Sequence, residues 1–329
     1  MENFFRIIDK FKDLKVLVIG DLMLDQYVYG DVSRISPEAP IPVLEMEKIY
    51  YTPGGAANAA FNVKTLGGEV IVAGVVGPEE RGVILKKALE ERNISTAGLV
   101  IDQGRKTTLK ERIIARNQQV VRIDMEDKYP ISSAIEQKII DFVKKIIQEI
   151  DAIIISDYAK GVVTPNLSMS IIKLARDNNV ICHIDPKGRD YSKYRGCHII
   201  TPNEKELSES LNVLIDNESQ FLEAGKMLLS HVGSDKVVVT RHEKGMVSFD
   251  KEGRSFCFPA VSKNAVDISG AGDTAIAVLT LALAGGANLK EAMTITSHAC
   301  AVVVEKLGTA TLTADELKKS IKEKDVREI

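Results

Sequence analysis

Residues 267–274, with the sequence Asp-Ile-Ser-Gly-Ala-Gly-Asp-Thr, combine two carboxylates with a turn of small residues. The apolar segment 275–284 follows directly and predicts a buried helix, which a glycine pair ends. Gly270, Ala271 and Gly272 let a ligand approach the backbone closely, and the free N–H groups of the first helical turn would face an anion. Such a turn can hold a phosphate group while charge develops on it.

Asp273 is the residue of this segment best suited to proton transfer. A carboxylate at the positive end of a helix is favoured in its ionised form, so Asp273 can accept a proton from a substrate hydroxyl. The same position also suits a carboxylate that only caps a helix after a tight loop. Spacing alone leaves both roles open.

Length, charge and cysteine usage favour a soluble enzyme that acts on small molecules. The chain has 329 residues, with 43 Lys and Arg against 46 Asp and Glu and a net charge of −3, which argues against a nucleic-acid scaffold or a polybasic membrane binder. The four cysteines lie far apart, as is typical of reduced thiols in a cytoplasmic protein rather than of zinc ligands or disulfides. Residues 1–15 lack the apolar core of a signal peptide, and the helix at 275–284 is too short to span a bilayer. We expect a cytoplasmic protein that binds neither nucleic acid nor membranes.

Strand and helix patterns alternate along most of the chain, which predicts a doubly wound α/β core. The apolar run 15–20 is typical of a central parallel strand. Asp21 and Asp25 follow it at the edge where open α/β sheets bind ligands, although both also suit the capping of a loop. Further strands are predicted at 69–76, 152–156, 180–184, 197–200 and 236–240. Helices are predicted at 3–13, 133–148, 165–178, 204–211, 218–232 and 289–305, and residues 53–58 open another helix that runs to residue 66.

Two segments interrupt this alternation. Residues 26–52 hold short β-prone pieces separated by prolines, and residues 106–125 hold two alternating runs joined through Asn117, which predict a hairpin. We expect the two insertions to pair into one small, half-exposed sheet that covers the active site as a lid. Since an exposed sheet face commonly finds a partner, a homodimer through this lid is expected.

Four of the predicted core strands are followed by polar segments that the apolar pattern does not require, at 156–161, 185–188, 201–206 and 240–245. Because a doubly wound sheet binds ligands at the strand ends, their cations, amides and carboxylates suit a magnesium–nucleotide complex. Each segment also has a structural explanation, such as a solvated lysine, a helix N-cap or an acidic residue in a first helical turn.

Gly54 and Gly55 precede a predicted helix that carries Asn58. The glycines allow a ligand to approach the backbone, and Asn58 can donate to and accept from sugar hydroxyls. A glycine pair before a helix is also common as a simple turn.

These motifs together resemble those of the PfkB/ribokinase family of sugar kinases, from about residue 15 to residue 310. The resemblance implies a single ribokinase-like domain over residues 1–329 that uses ATP and Mg²⁺, with a monovalent cation near Asp267 in some relatives. It also implies that Asp273 is the catalytic base and that the backbone N–H groups of residues 270–272 stabilise the transferring phosphoryl group. The implied ATP-binding residues are Lys187, Asn203, Glu206, Thr240, Arg241, Gly245 and Gly272, with Glu206 holding Mg²⁺ through water. Where relatives often have an Asn beside the adenine, this chain has Ser297.

A narrower resemblance lies in five less common segments, at 20–27, 33–40, 116–119, 156–161 and 306–309. They are similar to the D-glycero-D-manno-heptose 7-phosphate kinases of ADP-heptose synthesis, which leads to the lipopolysaccharide core. This implies transfer of the ATP γ-phosphoryl group to the anomeric C1 hydroxyl, giving heptose 1,7-bisphosphate. The implied substrate-binding residues are Asp21, Asp25, Gly54, Gly55 and Asn58 for the sugar, with Arg34, Arg116, Arg122 and Lys160 as candidates for the 7-phosphate.

Several alternatives stay open. Other members of the family act on unphosphorylated sugars, as fructokinases and ribokinases do, and a kinase fold can also serve as a non-catalytic sugar-phosphate sensor. Arg116 and Arg122 can pair within the hairpin instead of binding phosphate. An NAD-dependent oxidoreductase is disfavoured because Gly20 stands alone after the first strand. In two-domain relatives a nucleotidyltransferase domain follows the kinase; because this chain ends at Ile329, we expect a kinase that works without it.

Overall fold

The computed structural model describes residues 2–116, 118–262 and 265–325. The strands are β1 (Lys15–Gly20), β2 (Leu22–Ile35), β3 (Pro42–Gly55), β4 (Glu69–Val76), β5 (Ser95–Ile101), β6 (Thr108–Ala115), β7 (Gln118–Met125), β8 (Ala152–Ser156), β9 (Ile181–Asp185), β10 (Ile199–Ile200), β11 (Lys236–Thr240), β12 (Met246–Asp250) and β13 (Ser255–Phe258). The helices are α1 (Glu2–Asp9), α2 (Ala56–Thr65), α3 (Glu80–Glu90), α4 (Ser133–Ile146), α5 (Pro165–Asp177), α6 (Glu204–Leu211), α7 (Glu218–Val232), α8 (Ala271–Ala284), α9 (Leu289–Val304) and α10 (Ala314–Asp325). Across these described helices, none combines the length and the apolar character that a membrane crossing needs.

A nine-stranded sheet forms the core, in the order β13-β12-β11-β10-β9-β8-β1-β4-β5. The strands from β11 to β5 are parallel, and β12 and β13 add an antiparallel edge. The chain winds outwards from β1 first through β4 and β5, and later through β8 on the other side. This reversal creates a crevice at the carboxyl ends of β1 and β8, where such sheets bind ligands.

Both faces of the sheet are covered by helices, as the continuous apolar run of β1 predicts. Val16 and Val18 pack into a cluster with residues of α2, α8 and α9, whereas Leu17 and Ile19 pack into a second cluster with residues of α4, α5 and α7. Successive side chains of a strand point to opposite faces, so one apolar strand anchors both helical layers. The expected doubly wound core is confirmed.

A separate four-stranded sheet, in the order β3-β2-β6-β7, forms the lid. β2 leaves the core just after Asp21, and β3 returns just before α2. Each of these strands is 14 residues long, so the short pieces expected within 26–52 are parts of one long hairpin with register shifts. The expected pairing of the two insertions is confirmed, because β2 pairs with β6 in parallel. Asn117, placed by the sequence in the hairpin connection, lies outside the described residues.

Other elements differ from the sequence-based expectation. α8 begins at Ala271, four positions before the expected 275, because the glycine-rich segment continues into the helix in spite of its low helix propensity. α3, β5, β12 and β13 were not anticipated. The C-terminal helix α10 buries Leu317 and Ile321 in the core.

Candidate active site

Asp273 lies in the first turn of α8. Gly270 caps this helix in a left-handed conformation (φ 82°), which places Asp273 at the third helical position. The side chain is only 6% exposed; its Oδ2 accepts a hydrogen bond from Asn58 Nδ2 (2.7 Å) and its Oδ1 accepts one from the Tyr158 hydroxyl (2.7 Å). Burial raises the pKa of Asp273 to about 6, and the two hydrogen bonds oppose the rise. The carboxylate is therefore a base poised just below neutral pH, which suits proton abstraction from a hydroxyl.

The turn before Asp273 leaves space in front of unpaired backbone N–H groups. No atom lies within 4 Å of the point where a Cβ on Gly272 would stand. The Ala271 N–H donates to the Ile268 carbonyl (3.2 Å), whereas in the described part of the chain no backbone carbonyl accepts from the N–H of Gly270, Gly272 or Asp273. Of the three donors predicted from the sequence, two therefore stay available for an anion at this helix N-terminus, and Asp273 adds a third.

Gly54 and Gly55 have steric reasons to be glycines. A Cβ on Gly54 would lie 2.4 Å from Oδ2 of Asp25, and a Cβ on Gly55 would lie 2.6 Å from the carbonyl oxygen of Asp21. Gly55 also has a positive φ of 56°, which glycine adopts readily. They bring β3 close to Asp25 and start α2, on which Asn58 is 1% exposed. Asn58 Oδ1 has no hydrogen-bond partner among the described residues, so a sugar hydroxyl that donates to it would satisfy a buried acceptor.

Asp21 is occupied by the loop that follows β8. Its carboxylate accepts backbone N–H bonds from Tyr158 (2.8 Å), Lys160 (3.1 Å) and Val162 (3.1 Å). Burial, followed by the charge of Asp157, raises the pKa of Asp21 to about 6, and the backbone bonds oppose this. The loop-capping alternative is thus realised, and this loop carries the tyrosine that contacts Asp273. Direct sugar binding by Asp21 stays a prediction.

Asp25, on β2, is paired with an arginine that the sequence did not single out. Arg112 Nη1 lies 2.7 Å from Asp25 Oδ1, and the guanidinium carbon lies 5.1 Å from the centre of the Tyr27 ring. Asp25 is buried, and no described residue donates to its Oδ2. Arg112 therefore fixes the carboxylate and leaves one oxygen for a ligand.

Asn203 and Glu206 form a capping box at the start of α6. Asn203 Oδ1 accepts from the Glu206 N–H (2.9 Å), and Glu206 Oε2 accepts from the Asn203 N–H (3.0 Å). Glu206 Oε1 also accepts from Lys187 Nζ (2.7 Å). These contacts hold the three residues together at the ends of β9 and β10, while their binding of ATP stays a prediction.

Asp185, which ends β9, is a further carboxylate that the sequence analysis did not select. Burial, then the charges of Asp273 and Glu206, raise the pKa of Asp185 well above its usual value. Repulsion among these carboxylates falls when a cation lies between them, so the donor set fits Mg²⁺. Within the ranges described, no three His, Cys, Asp or Glu side chains form a metal-binding group; Asp185 and Glu206 are the carboxylates suited to hold the ion.

The loop after β11 is held in place by Arg241 and by a close backbone approach at Gly245. Arg241 makes two hydrogen bonds to Glu218 (2.6 and 2.9 Å) and its guanidinium carbon lies 3.7 Å from the centre of the Phe221 ring. A Cβ on Gly245 would lie 2.0 Å from a backbone oxygen of β13. Thr240 is the last residue of β11 and its N–H donates to the carbonyl before Asn203. Thr240 therefore lies beside the capping box, while Arg241 faces α7; both stay predicted nucleotide contacts.

The four cations proposed for a sugar phosphate all make ion pairs with lid carboxylates. The pairs are Arg34 with Glu45 (3.7 Å), Arg116 with Asp31 (2.6 Å), Arg122 with Asp124 (2.7 Å) and Lys160 with Glu126. Arg34 and Arg116 are exposed, whereas Lys160 is largely covered. The structure thus realises pairing within the hairpin for Arg122, the alternative that the sequence left open, whereas the partner of Arg116 is Asp31 of β2, outside the hairpin.

Two further predicted positions lie just before α8 and on α9. Asp267 accepts from the N–H groups of Ser269 (2.8 Å) and Gly308 (3.0 Å), which ties the segment before α8 to the segment after α9. Ser297 is buried on α9, and its hydroxyl has no partner among the described residues. Roles for a monovalent cation and for adenine at these positions stay predictions.

Four site residues escaped the sequence analysis: Lys110, Arg112, Tyr158 and Asp185. Tyr158 and Asp185 belong to the polar segments after β8 and β9, so their position at strand ends was a usable signal. Lys110 and Arg112 stand two positions apart on β6, with Glu111 between them, which only marks them as sharing one face of a strand.

A doubly wound sheet that places a buried carboxylate base beside an anion-binding helix start, under a β-sheet lid, defines an enzyme that transfers a group to the hydroxyl of a small molecule. The model of the pfkB family of carbohydrate kinases matches residues 13–316. The chain belongs to this family and is a carbohydrate kinase.

Its relatives include proteins named bifunctional protein HldE. The chain is 42% identical to the one from Desulfatibacillum aliphaticivorans over 96% of its own length and 65% of the relative. It is 44% identical to the one from Helicobacter acinonychis over 92% of its own length and 65% of the relative. The chain therefore spans about 65% of the length of these relatives, and it resembles their kinase half.

Solved structures confirm the ribokinase-like fold. Phosphofructokinase-2 from Escherichia coli in complex with potassium superimposes with a TM-score of 0.78 at 21% identity, over 95% of this chain and 99% of that one. Ribokinase from Arabidopsis thaliana, complexed with ribose and ATP, gives a TM-score of 0.72 at 17% identity, over 94% of this chain and 98% of that one. At such identities the similarity concerns the fold.

Proposed function

We propose that the chain uses ATP to phosphorylate D-glycero-D-manno-heptose 7-phosphate at the C1 hydroxyl, giving heptose 1,7-bisphosphate for ADP-heptose synthesis. The observation that carries the kinase chemistry is the position of Asp273, whose buried carboxylate accepts from Asn58 and Tyr158 in the same helical turn that has unpaired backbone N–H groups. The heptose substrate is supported by the identity of 42–44% to the HldE relatives.

The proposed reaction is an in-line phosphoryl transfer. The C1 oxygen forms a bond to the γ-phosphorus of ATP while the bond from that phosphorus to the β–γ bridging oxygen breaks, so that ADP leaves. Asp273 accepts the proton of the C1 hydroxyl as the new bond forms. The N–H groups of Gly270 and Gly272 stabilise the charge on the transferring group.

The remaining site residues position the two substrates. Asp25 accepts from a sugar hydroxyl, and Asn58 accepts from another through its unpartnered Oδ1, while Gly54 and Gly55 allow the close approach. Glu206 and Asp185 would hold Mg²⁺, which would supply neutralising charge for the triphosphate. Lys187, beside Glu206, contributes further positive charge on the nucleotide side.

The lid has an apolar outer face that supports the expected homodimer. Ile49 and Tyr51 of β3 and Val121 and Ile123 of β7 are exposed, and their strand positions alternate with those that face the crevice. An open sheet with an exposed apolar face invites pairing with a second copy. We propose that two chains associate through these outer faces and that closure of the lid excludes water from the transfer step.

The proposed function is tested by offering the purified protein ATP, Mg²⁺ and one acceptor at a time. The acceptors are heptose 7-phosphate, fructose, ribose and fructose 6-phosphate, and ³¹P NMR reads the position of the new phosphate. A 1,7-bisphosphate formed only from the heptose is expected. Turnover of another sugar instead would replace the substrate, and the absence of turnover with all of them would favour a sensor.

A further inference from the structure

Lys110 lies on the inner face of the lid, next to the catalytic carboxylate. It is in register with Asp25 of β2 and with Asp124 of β7, so its side chain lies between theirs. Lys110 Nζ is 5.8 Å from the centre of the Tyr158 ring, and the Tyr158 hydroxyl donates to Asp273. The ammonium group of Lys110 is thus separated from the proposed base by one aromatic side chain.

The neighbouring carboxylates are already paired with other cations. Asp25 pairs with Arg112 (2.7 Å), and Asp124 pairs with Arg122 (2.7 Å). Glu126, just beyond β7, pairs with Lys160. Glu126 also pairs with Lys128 (2.9 Å). Within the described residues no carboxylate forms an ion pair with Lys110, so five cations around this part of the lid face three carboxylates.

The surroundings of Lys110 disfavour its charge. Burial lowers the pKa of Lys110, and the positive charges of Lys160 and Arg122 lower it further, against the attraction of Asp25 and Asp124. A half-buried ammonium group without its own counter-ion is unfavourable unless a ligand supplies the anion. A dianionic phosphate would provide that negative charge and would also satisfy the hydrogen-bond donors of Lys110.

We infer that Lys110 binds the phosphate monoester that the acceptor sugar already carries, and so selects phosphorylated over unphosphorylated sugars. The inference rests on the proposed function, in which the acceptor hydroxyl lies at Asp273 and the rest of the sugar lies under the lid. It differs from the expectation from sequence, which assigned this task to Arg34, Arg116, Arg122 or Lys160. Those four side chains already have carboxylate partners, whereas Lys110 has none in the described chain.

The test compares Lys110→Met, which keeps the length of the side chain and removes its charge, with Lys110→Arg and with Lys106→Met. Lys106 is an exposed residue of the same segment, before β6. For each variant, kcat and KM are measured with D-glycero-D-manno-heptose 7-phosphate and with the unphosphorylated heptose. Thermal melting and ADP binding show whether the variants fold.

We expect Lys110→Met to raise KM for heptose 7-phosphate about 10–100-fold, the loss of one charge-assisted hydrogen bond, with a much smaller change in kcat. The charge of Lys110 also lowers the pKa of Asp273, so both sugars are compared at pH 8, where Asp273 is ionised in every variant. Under that condition the activity on the unphosphorylated sugar should change little, and the preference for the phosphorylated sugar should fall by about the same factor as the affinity for heptose 7-phosphate. Lys110→Arg should retain most of the preference, and Lys106→Met should match the wild type.

Two results would overturn the inference, and they differ in what they say about the proposed function. If the wild type prefers the phosphorylated sugar and folded Lys110→Met keeps that preference, Lys110 is not the phosphate ligand and the proposed function stands. If the wild type itself shows no preference for the phosphorylated sugar, both the proposed function and this inference fail.

Discussion

At the scale of single residues, Asp273 is held on both oxygens, by Asn58 and by Tyr158. Asp273→Asn removes the base but keeps the shape of the side chain. The new amide oxygen can accept from Tyr158, and the new NH₂ group can donate to Oδ1 of Asn58 once the Asn58 amide turns over, because Asn58 Nδ2 now faces this position. The melting temperature should therefore not fall. We expect kcat to fall about 10²–10⁴-fold while ADP binding is kept.

The measurement for this variant is steady-state turnover together with ADP titration and thermal melting. Asp177→Asn, at an exposed ion pair on α5, is the matched control and should leave all three unchanged. Near-normal turnover in Asp273→Asn would exclude Asp273 as the general base.

Tyr158 lowers the pKa of the same carboxylate through its hydrogen bond. Because Asp273 must be ionised to act, kcat/KM should rise with pH through the pKa of Asp273, about 6, and level off above it. The hydrogen bond from Tyr158 lowers this pKa, so Tyr158→Phe should move the rise to higher pH. The variant then loses more activity at pH 6 than at pH 8.

A pH–rate profile of kcat/KM from pH 5 to pH 9 measures this shift. Tyr129→Phe removes an exposed hydroxyl that donates to Gly104 and should keep the wild-type profile. A loss of activity in Tyr158→Phe that is equal at every pH would mean that the tyrosine does not act through the ionisation of Asp273.

At the scale of secondary-structure elements, the start of α8 couples helix stability to anion binding. A Cβ added to Gly272 would stand in open space, and alanine is the better helix former. Gly272→Ala should therefore fold with an unchanged or higher melting temperature. Its methyl group occupies the space in front of the N–H groups, so kcat/KM for ATP should fall about 10–100-fold, as for other small misplacements of reacting groups.

Thermal melting and ATP-dependent rates are measured on one preparation of Gly272→Ala. The melting temperature should be kept or raised while kcat/KM for ATP falls. Gly104→Ala, in an exposed loop where the added Cβ finds only one ordinary contact at 3.5 Å, is the control. If Gly272→Ala has wild-type kinetics, the triphosphate does not approach α8 at this turn.

At the scale of the whole molecule, the lid has two different faces. The inner face is charged and lies over the crevice, while Ile49, Val121 and Ile123 give the outer face an apolar surface. The double substitution Ile49→Lys and Ile123→Lys should convert the proposed dimer into a monomer, because burying like charges at the centre of an interface costs several kcal/mol.

Light scattering coupled to size-exclusion chromatography measures the molar mass of the variant over a range of concentrations. Leu214→Lys, at an apolar side chain that is 80% exposed elsewhere on the surface, should keep the wild-type mass. A wild type that is monomeric at every concentration, or a double variant that stays dimeric, would exclude the outer face of the lid as the interface.

The amino-acid sequence determined the features that depend on short-range patterns. The apolar run of β1, the alternation that defines the core, the hairpin after Lys106 and the carboxylate at the start of α8 all follow from local periodicity and from glycine positions. The pairing of the two lid insertions was also accessible, since strands that do not fit the core rhythm need other strands as partners.

The tertiary structure alone decided which distant side chains meet. Tyr158 reaches Asp273 across 115 positions, and Arg112 reaches Asp25 across 87. Such contacts depend on strand order and on register, in which a shift of one residue turns a side chain to the other face. For the same reason, the sequence could place Arg116 and Lys110 in one lid, but only the folded register gave Arg116 a carboxylate partner and left Lys110 facing the crevice without one.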